Sequence, residues 1–196
     1  GNIISYDASG NPVAIATGND GQVLTSAGAG APPAFESISS GGKVLQVVTA
    51  TLTSRNSFSG GTTFLDSGLS AAITPSATSS KILVSADITT GTSGSAYGVG
   101  LRLLRGSTVM LQADSQTGRM RAHSINCHGS NAHDCVTTHL QHLDSPSTTS
   151  ATTYKIQGGA RDQKTWSINQ PYNNDDSSTW YRAVGCSTIV LMEIEG

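Results

Sequence analysis

From Lys81 to Ile88 the side chains alternate, with Ile82, Val84, Ala86 and Ile88 on one side and Ser85 and Asp87 on the other. That is the two-residue period of a half-buried strand, and no segment of the chain sustains a capped helical period. Comparable runs cover Val44 to Leu52, Thr63 to Ile73, Tyr97 to Leu104, Thr108 to Asp114, Arg119 to Cys127, Cys135 to Leu143, Thr152 to Gln157 and Thr165 to Asn169. The closing run, Ser187 to Ile194, is apolar on both faces. It suits a central strand or one that also meets another subunit, and Ile189 and Leu191 are the candidates for such a trimer contact. With turn signals every ~8 to 12 residues, this spacing predicts an all-β fold, an antiparallel jelly-roll-like β-sandwich.

Composition fits that reading. Ser and Thr make up about a quarter of the 196 residues and Gly adds 22, while 12% are charged, a profile that favours pleated strands and turns over helices. Residues 1–42 differ from the rest: they are rich in Gly, Ala, Ser and Asn, and their short apolar pieces, Val13-Ala14-Ile15 and Gln22-Val23-Leu24, are too brief to build a core. They read as a linker or neck, or as hairpins that become ordered against a neighbour, with residues 43–196 forming the sandwich head. The formal net charge is −2, with 11 scattered basic residues, which leaves no electrostatic footprint for nucleic acid. No apolar run reaches the ~18 residues that cross a bilayer, and no signal-peptide pattern opens the chain, so no membrane insertion is expected. The first residue is Gly1 rather than Met, which suggests a processed product or a fragment of a longer polypeptide.

Chemical motifs are sparse. Gly91-Thr92-Ser93-Gly94-Ser95 lacks the order of a nucleophile elbow, and phosphate-loop, dinucleotide and zinc-protease patterns do not occur. The most conspicuous carboxylates, Asp175 and Asp176, are adjacent in a turn rather than placed across a cleft. A non-enzymatic protein without a cofactor is therefore expected. Cys127 and Cys135 flank a turn-rich segment that also holds His128 and His133. A hairpin there could form a disulfide, keep two thiols or close a metal cluster. On a strand, His139 and His142 face opposite sides. The segment from Asn169 to Tyr181 combines aromatic faces with amide and carboxylate side chains, as sugar-binding surfaces commonly do. Tyr172, Asn173, Asn174, Asp175, Asp176 and Trp180 are its receptor or glycan-binding candidates; alternatively, Trp180 and Tyr181 enter a strand and pack.

Gly21-Gln22-Val23-Leu24-Thr25-Ser26-Ala27-Gly28-Ala29-Gly30-Ala31-Pro32-Pro33-Ala34-Phe35-Glu36 resembles the linker that recurs in bacteriophage tail-fibre and related virion proteins, marine phages above all. Asn2 to Pro12 is similar to the short repeats of such fibres, and Val44 to Val48, Asp66 to Pro75, Ser79 to Val84 and Ser187 to Ile194 match in style. The resemblance implies a virion structural protein assembled in the host cytoplasm. It points to a homotrimeric receptor-binding tip that joins other virion proteins through its N-terminal segment. The head would attach to a host surface glycan or outer-membrane protein. A capsid-associated head fibre or decoration protein is the alternative, and a capsule-degrading hydrolase is disfavoured by the few carboxylates. The resemblance carries over no catalytic residue.

Overall fold

The computed structural model describes residues 3–37, 42–93, 98–127, 133–161, 164–173 and 183–196. Among the described residues every regular element is a strand and every pairing is antiparallel. Among these residues no helix is long and apolar enough to cross a membrane. The chain divides into two compact units, Gly1–Gly41 and Gly42–Gly196.

The first unit is built from two hairpins, β1 (Ile3–Tyr6) with β2 (Pro12–Ile15) and β3 (Gln22–Thr25) with β4 (Ala34–Ser37). Asp7 closes the first turn, since its carboxylate accepts the amides of Ser9 and Asn11 and the Asn11 side chain. Those bonds, the Asn11 amide first, hold the carboxyl below its ordinary range. A groove of about 310 Å³ is lined by Ile15, Pro32, Pro33 and Phe35 among others. Ile15 is buried, whereas Ile3, Ile4, Tyr6, Val23 and Leu24 are exposed.

The second unit is a two-sheet sandwich. Its larger sheet contains β5 (Val44–Leu52), β6 (Asn56–Ser59), β8 (Lys81–Thr92), β12 (Cys135–Asp144), β14 (Thr165–Ile168) and β15 (Ser187–Ile194). The other sheet holds β7 (Leu65–Ile73), β9 (Gly98–Arg105), β10 (Thr108–Val109), β11 (Ser124–Cys127) and β13 (Thr152–Ala160). The inward positions form one core. Ile82, Val84, Ala86 and Ile88 of β8 lie in it with Leu69 and Ile73 of β7, Leu101 and Leu103 of β9, and Tyr154 and Ile156 of β13. Trp166 is fully buried, stacks on Phe58 at 4.2 Å and presses on Gly158 of the opposite sheet. A Cβ at Gly158 would stand 2.7 Å from the indole, so any larger residue there would displace the ring.

Strand β15 lies between β5 and β8, a central position. Ile189 and Leu191 face inward and are fully buried in this chain's own core. They are therefore unavailable as trimer contacts, and the outward residues of the strand are Thr188, Val190, Met192 and Ile194.

Two polar clusters tie the sheets together. Near one end, Asp144 accepts two hydrogen bonds from Arg105 Nη1, at 2.8 and 2.9 Å, and a third from the Tyr154 hydroxyl at 2.6 Å. Burial, and then the Asp144 carboxylate, push the Tyr154 phenol up. Near the other end, Asn126 donates to Thr90 and Thr138, both at 2.8 Å, and accepts the amide of Val99. Every partner is supplied, as buried polar groups require.

Glu193 is fully buried at a register shift between β15 and β5. One carboxylate oxygen accepts the amide and hydroxyl of Ser76, and the other accepts the Gln46 side chain, which also donates to Thr74 O. Burial pushes the carboxyl up, but these hydrogen bonds outweigh it and hold it at about 2. A folded value below the unfolded one contributes stability above pH ~4.5 that is lost as the pH falls toward 2. Between pH 7 and pH 3 this group alone costs about 2 kcal/mol. Chemical denaturation at the two pH values is expected to show the Glu193→Gln variant losing that much less than the wild type.

Candidate functional site

The site is set by a mismatch of strand lengths. Strand β8 is 12 residues long; β12 pairs with it from Ile82 to Gly91 along one edge. On the other edge β15 covers Lys81 to Asp87 and β14 covers Thr90 to Thr92, so two short strands lie end to end. The next row repeats the arrangement, with β5 beside β15 and β6 beside β14. The aromatic and amide candidates fall in the excursion between β14 and β15, whose described residues, 169–173 and 183–186, lie outside the sheet.

Asn169 holds its root. The residue is fully buried and has φ +61°, a left-handed conformation that Asn adopts more readily than most residues. Its amide nitrogen donates to Leu52 O at 2.7 Å and to Ser54 O at 2.9 Å, satisfying the break between β5 and β6. Its Oδ1 accepts the Ser187 hydroxyl at 2.6 Å, while the Ser187 oxygen accepts the amide of Thr89. The backbone completes the closure: Asn169 N donates to Thr89 O, and Gly185 N donates to Asn169 O, at 2.9 and 3.0 Å. Both ends of the excursion are thus joined to one point on β8.

The next residues pack down before the chain turns outward. Ser167 donates to Gln170 O, Gln170 donates to Ser57, and Pro171 is buried. Gly91 makes this possible, because a Cβ there would meet Gln170 O and the Ser167 hydroxyl at 2.7 Å. Tyr172 and Asn173 then reach the surface, Tyr172 with 40% of its area exposed. Asn174, Asp175, Asp176 and Trp180 lie outside the described residues.

Cys127 and Cys135 are free thiols that reach the surface. Cys127 pairs opposite Gly98 in the smaller sheet and Cys135 opposite Gly91 in the larger one. The two strands that carry these cysteines thus lie in different sheets and do not pair as a hairpin. Partial burial, and then the adjacent Asp134 carboxylate, push the Cys135 thiol up to about 11, so it stays protonated at neutral pH. His128 lies outside the described residues, while His133 is half-buried. Among the described residues no three His, Cys, Asp or Glu side chains are grouped so as to hold a metal ion. His139 faces outward and contacts Asp87 at 2.9 Å, whereas His142 faces the opposite side, 6.4 Å from the ring of His123. Burial, and then the neighbouring His142, hold His123 below its ordinary range.

No family model and no curated protein matches the chain. Among solved structures it is similar to the protein of infectious bursal virus-derived T=1 particles, with a TM-score of 0.37 and 14% identity over 94% of this chain and 45% of that one. Infectious bursal disease virus strain Gx gives 0.37 and 13%, and the VP2 subviral particle of that virus gives 0.36 and 13%. The chain spans about half the length of these viral proteins. Likeness at this level carries neither a family nor a function across.

The sequence marks Asn169 as the end of one strand and the start of the candidate loop, but not as the residue that anchors it. A lone Asn between Ile168 and Gln170 signals a left-handed turn only weakly. Asn169→Ala leaves the part-buried carbonyls of Leu52 and Ser54 and the buried Ser187 hydroxyl short of a partner and is expected to cost about 2–4 kcal/mol. Thermal and chemical denaturation, alongside Ser150→Ala as an exposed control, measure this loss.

Proposed function

We propose that the chain is a non-enzymatic virion structural protein, the receptor-binding tip of a phage tail fibre, which attaches the particle to a host surface glycan or outer-membrane protein. The observation that carries this reading is the excursion rooted at Asn169. Where two short strands meet end to end along one edge of the long strand β8, the buried Asn169 brings the chain to the surface at Tyr172 and Asn173, both exposed. Recognition residues set on a surface loop and positioned by a rigid scaffold are the general arrangement for binding. Tyr172 offers a flat ring to sugar C–H groups and Asn173 a paired donor and acceptor for hydroxyls, and Asn174, Asp175, Asp176 and Trp180 extend that chemistry along the sequence.

The linker resemblance of residues 21–36 supports the virion assignment, with the N-terminal unit joining the chain to other virion proteins. The carboxylates support recognition rather than bond cleavage, since Asp144 and Glu193 are buried in structural hydrogen bonds and Asp66 is held by Lys155 and Gln157. The chain works as a homotrimer, so that weak contacts at three loops combine through high effective concentration.

A glycan array and a panel of bacterial cells test the reading. Wild-type protein is expected to bind a restricted set, and Tyr172→Ala with Asn173→Ala to weaken that binding at least tenfold while leaving the melting temperature within about 1 °C. Binding that survives the double substitution, or a wild type that binds nothing, overturns it.

A further inference from the structure

The two outward faces of the sandwich are unlike. On the smaller sheet Lys155 and Gln157 both bond Asp66, Arg102 bonds Gln157, and the Arg102 guanidinium lies 4.2 Å from the centre of the Phe64 ring. That part of the face is polar and solvated, with Ile125 of β11 an isolated exposed apolar residue beside it. The outward face of the larger sheet carries instead a row of apolar side chains in register across four strands. Val47 of β5 pairs with Met192 of β15, Met192 with Leu83 of β8, and Leu83 with Leu143 of β12. Val47 and Leu143 are exposed by 53% and 49%, and Leu83 and Met192 are half-buried. Val44 and Leu45, also exposed, extend the patch along β5, and Val190 stands in the next row between Thr49 and Ser85.

We infer that this face is where copies of the chain meet one another. The inference rests on the homotrimer reading and specifies its contact surface. Four strands ~4.8 Å apart, over ~8 residues of ~3.4 Å each, project about 500 Å². This is of the order of the ~800 Å² that each partner covers in a standard interface. Within that face the apolar side chains are contiguous from strand to strand, and the largest apolar patch of a protein surface often marks an interaction site. On β8 the outward charges are Lys81 and Asp87, at opposite ends of the stretch through Leu83 and Ser85. The face thus combines an apolar middle with balanced charge. It carries no excess charge to select an acidic or basic partner, and nothing in it repels an identical copy. Homo-oligomers are the commonest way for such a face to be covered.

Light scattering on the full chain tests this. The wild type is expected at three times the 20.1 kDa chain mass, with Leu83→Glu and Leu143→Asp each reducing the mass threefold and leaving the far-ultraviolet circular dichroism unchanged. Ser70→Glu, exposed on the smaller sheet, is expected to keep the wild-type mass. A monomeric wild type overturns both the homotrimer reading and this surface, whereas a trimer that survives both substitutions overturns the surface alone. A photo-crosslinking amino acid offers a second measurement that does not depend on charged variants folding. Placed at position 143 it is expected to give covalent oligomers, and placed at position 70 to give none. The reverse pattern overturns the proposal.

Discussion

Strand β8 is longer than either of the strands that share its second edge, and the larger sheet is arranged around that fact. Its backbone must be hydrogen-bonded along 12 residues. One edge is served by β12, the other by β15 and β14 in succession, with a gap at Thr89. The Ser187 hydroxyl and the Asn169 amide fill it. From this junction follow the divided outer row of β5 and β6, the burial of Asn169 and the place where the excursion leaves the sheet.

The sandwich is closed by polar contacts as well as by its apolar core. Asp144 with Arg105 and Tyr154, and Asn126 with Thr90 and Thr138, connect strands of opposite sheets. Hydrophobic packing is non-directional and tolerates sliding, but a satisfied buried network fixes which strand faces which. A change that removes one member leaves the others buried without a partner, so the penalty exceeds the net worth of the bond itself.

Much of this architecture is legible in the sequence, wherever one side of a strand is apolar and the other polar. The runs at β7, β8 and β12 are strands as read, and at β8 the alternation also gives the inward face, Ile82, Val84, Ala86 and Ile88. Strand β6, Asn-Ser-Phe-Ser, has a single apolar residue and no signal. The stretches Thr108–Asp114 and Arg119–Cys127 read as strands, yet pairing is limited to Thr108–Val109 and Ser124–Cys127. Between them the chain turns through Gly118, at φ +72°. At β15 both faces are apolar, so alternation could not decide which one turns outward, and Ile189 and Leu191 were assigned to the wrong side. At the candidate site the exposure of Tyr172 was foreseeable from composition. The Asn169 junction was not, because its partners Leu52, Ser54 and Ser187 are distant in sequence.

The closure at Asn169 also bears on how such a protein diversifies. Gly185 N donates to Asn169 O, so the excursion begins and ends at adjacent points and the strands on either side keep their pairing whatever length of chain lies between. Lengthening a closed loop carries a small entropic cost, about 0.6 kcal/mol for each doubling. A change in the number of residues between these two points therefore costs the closure itself little. The closure thus separates the pairing of the frame from the length of chain that it bounds, so that the two can change independently.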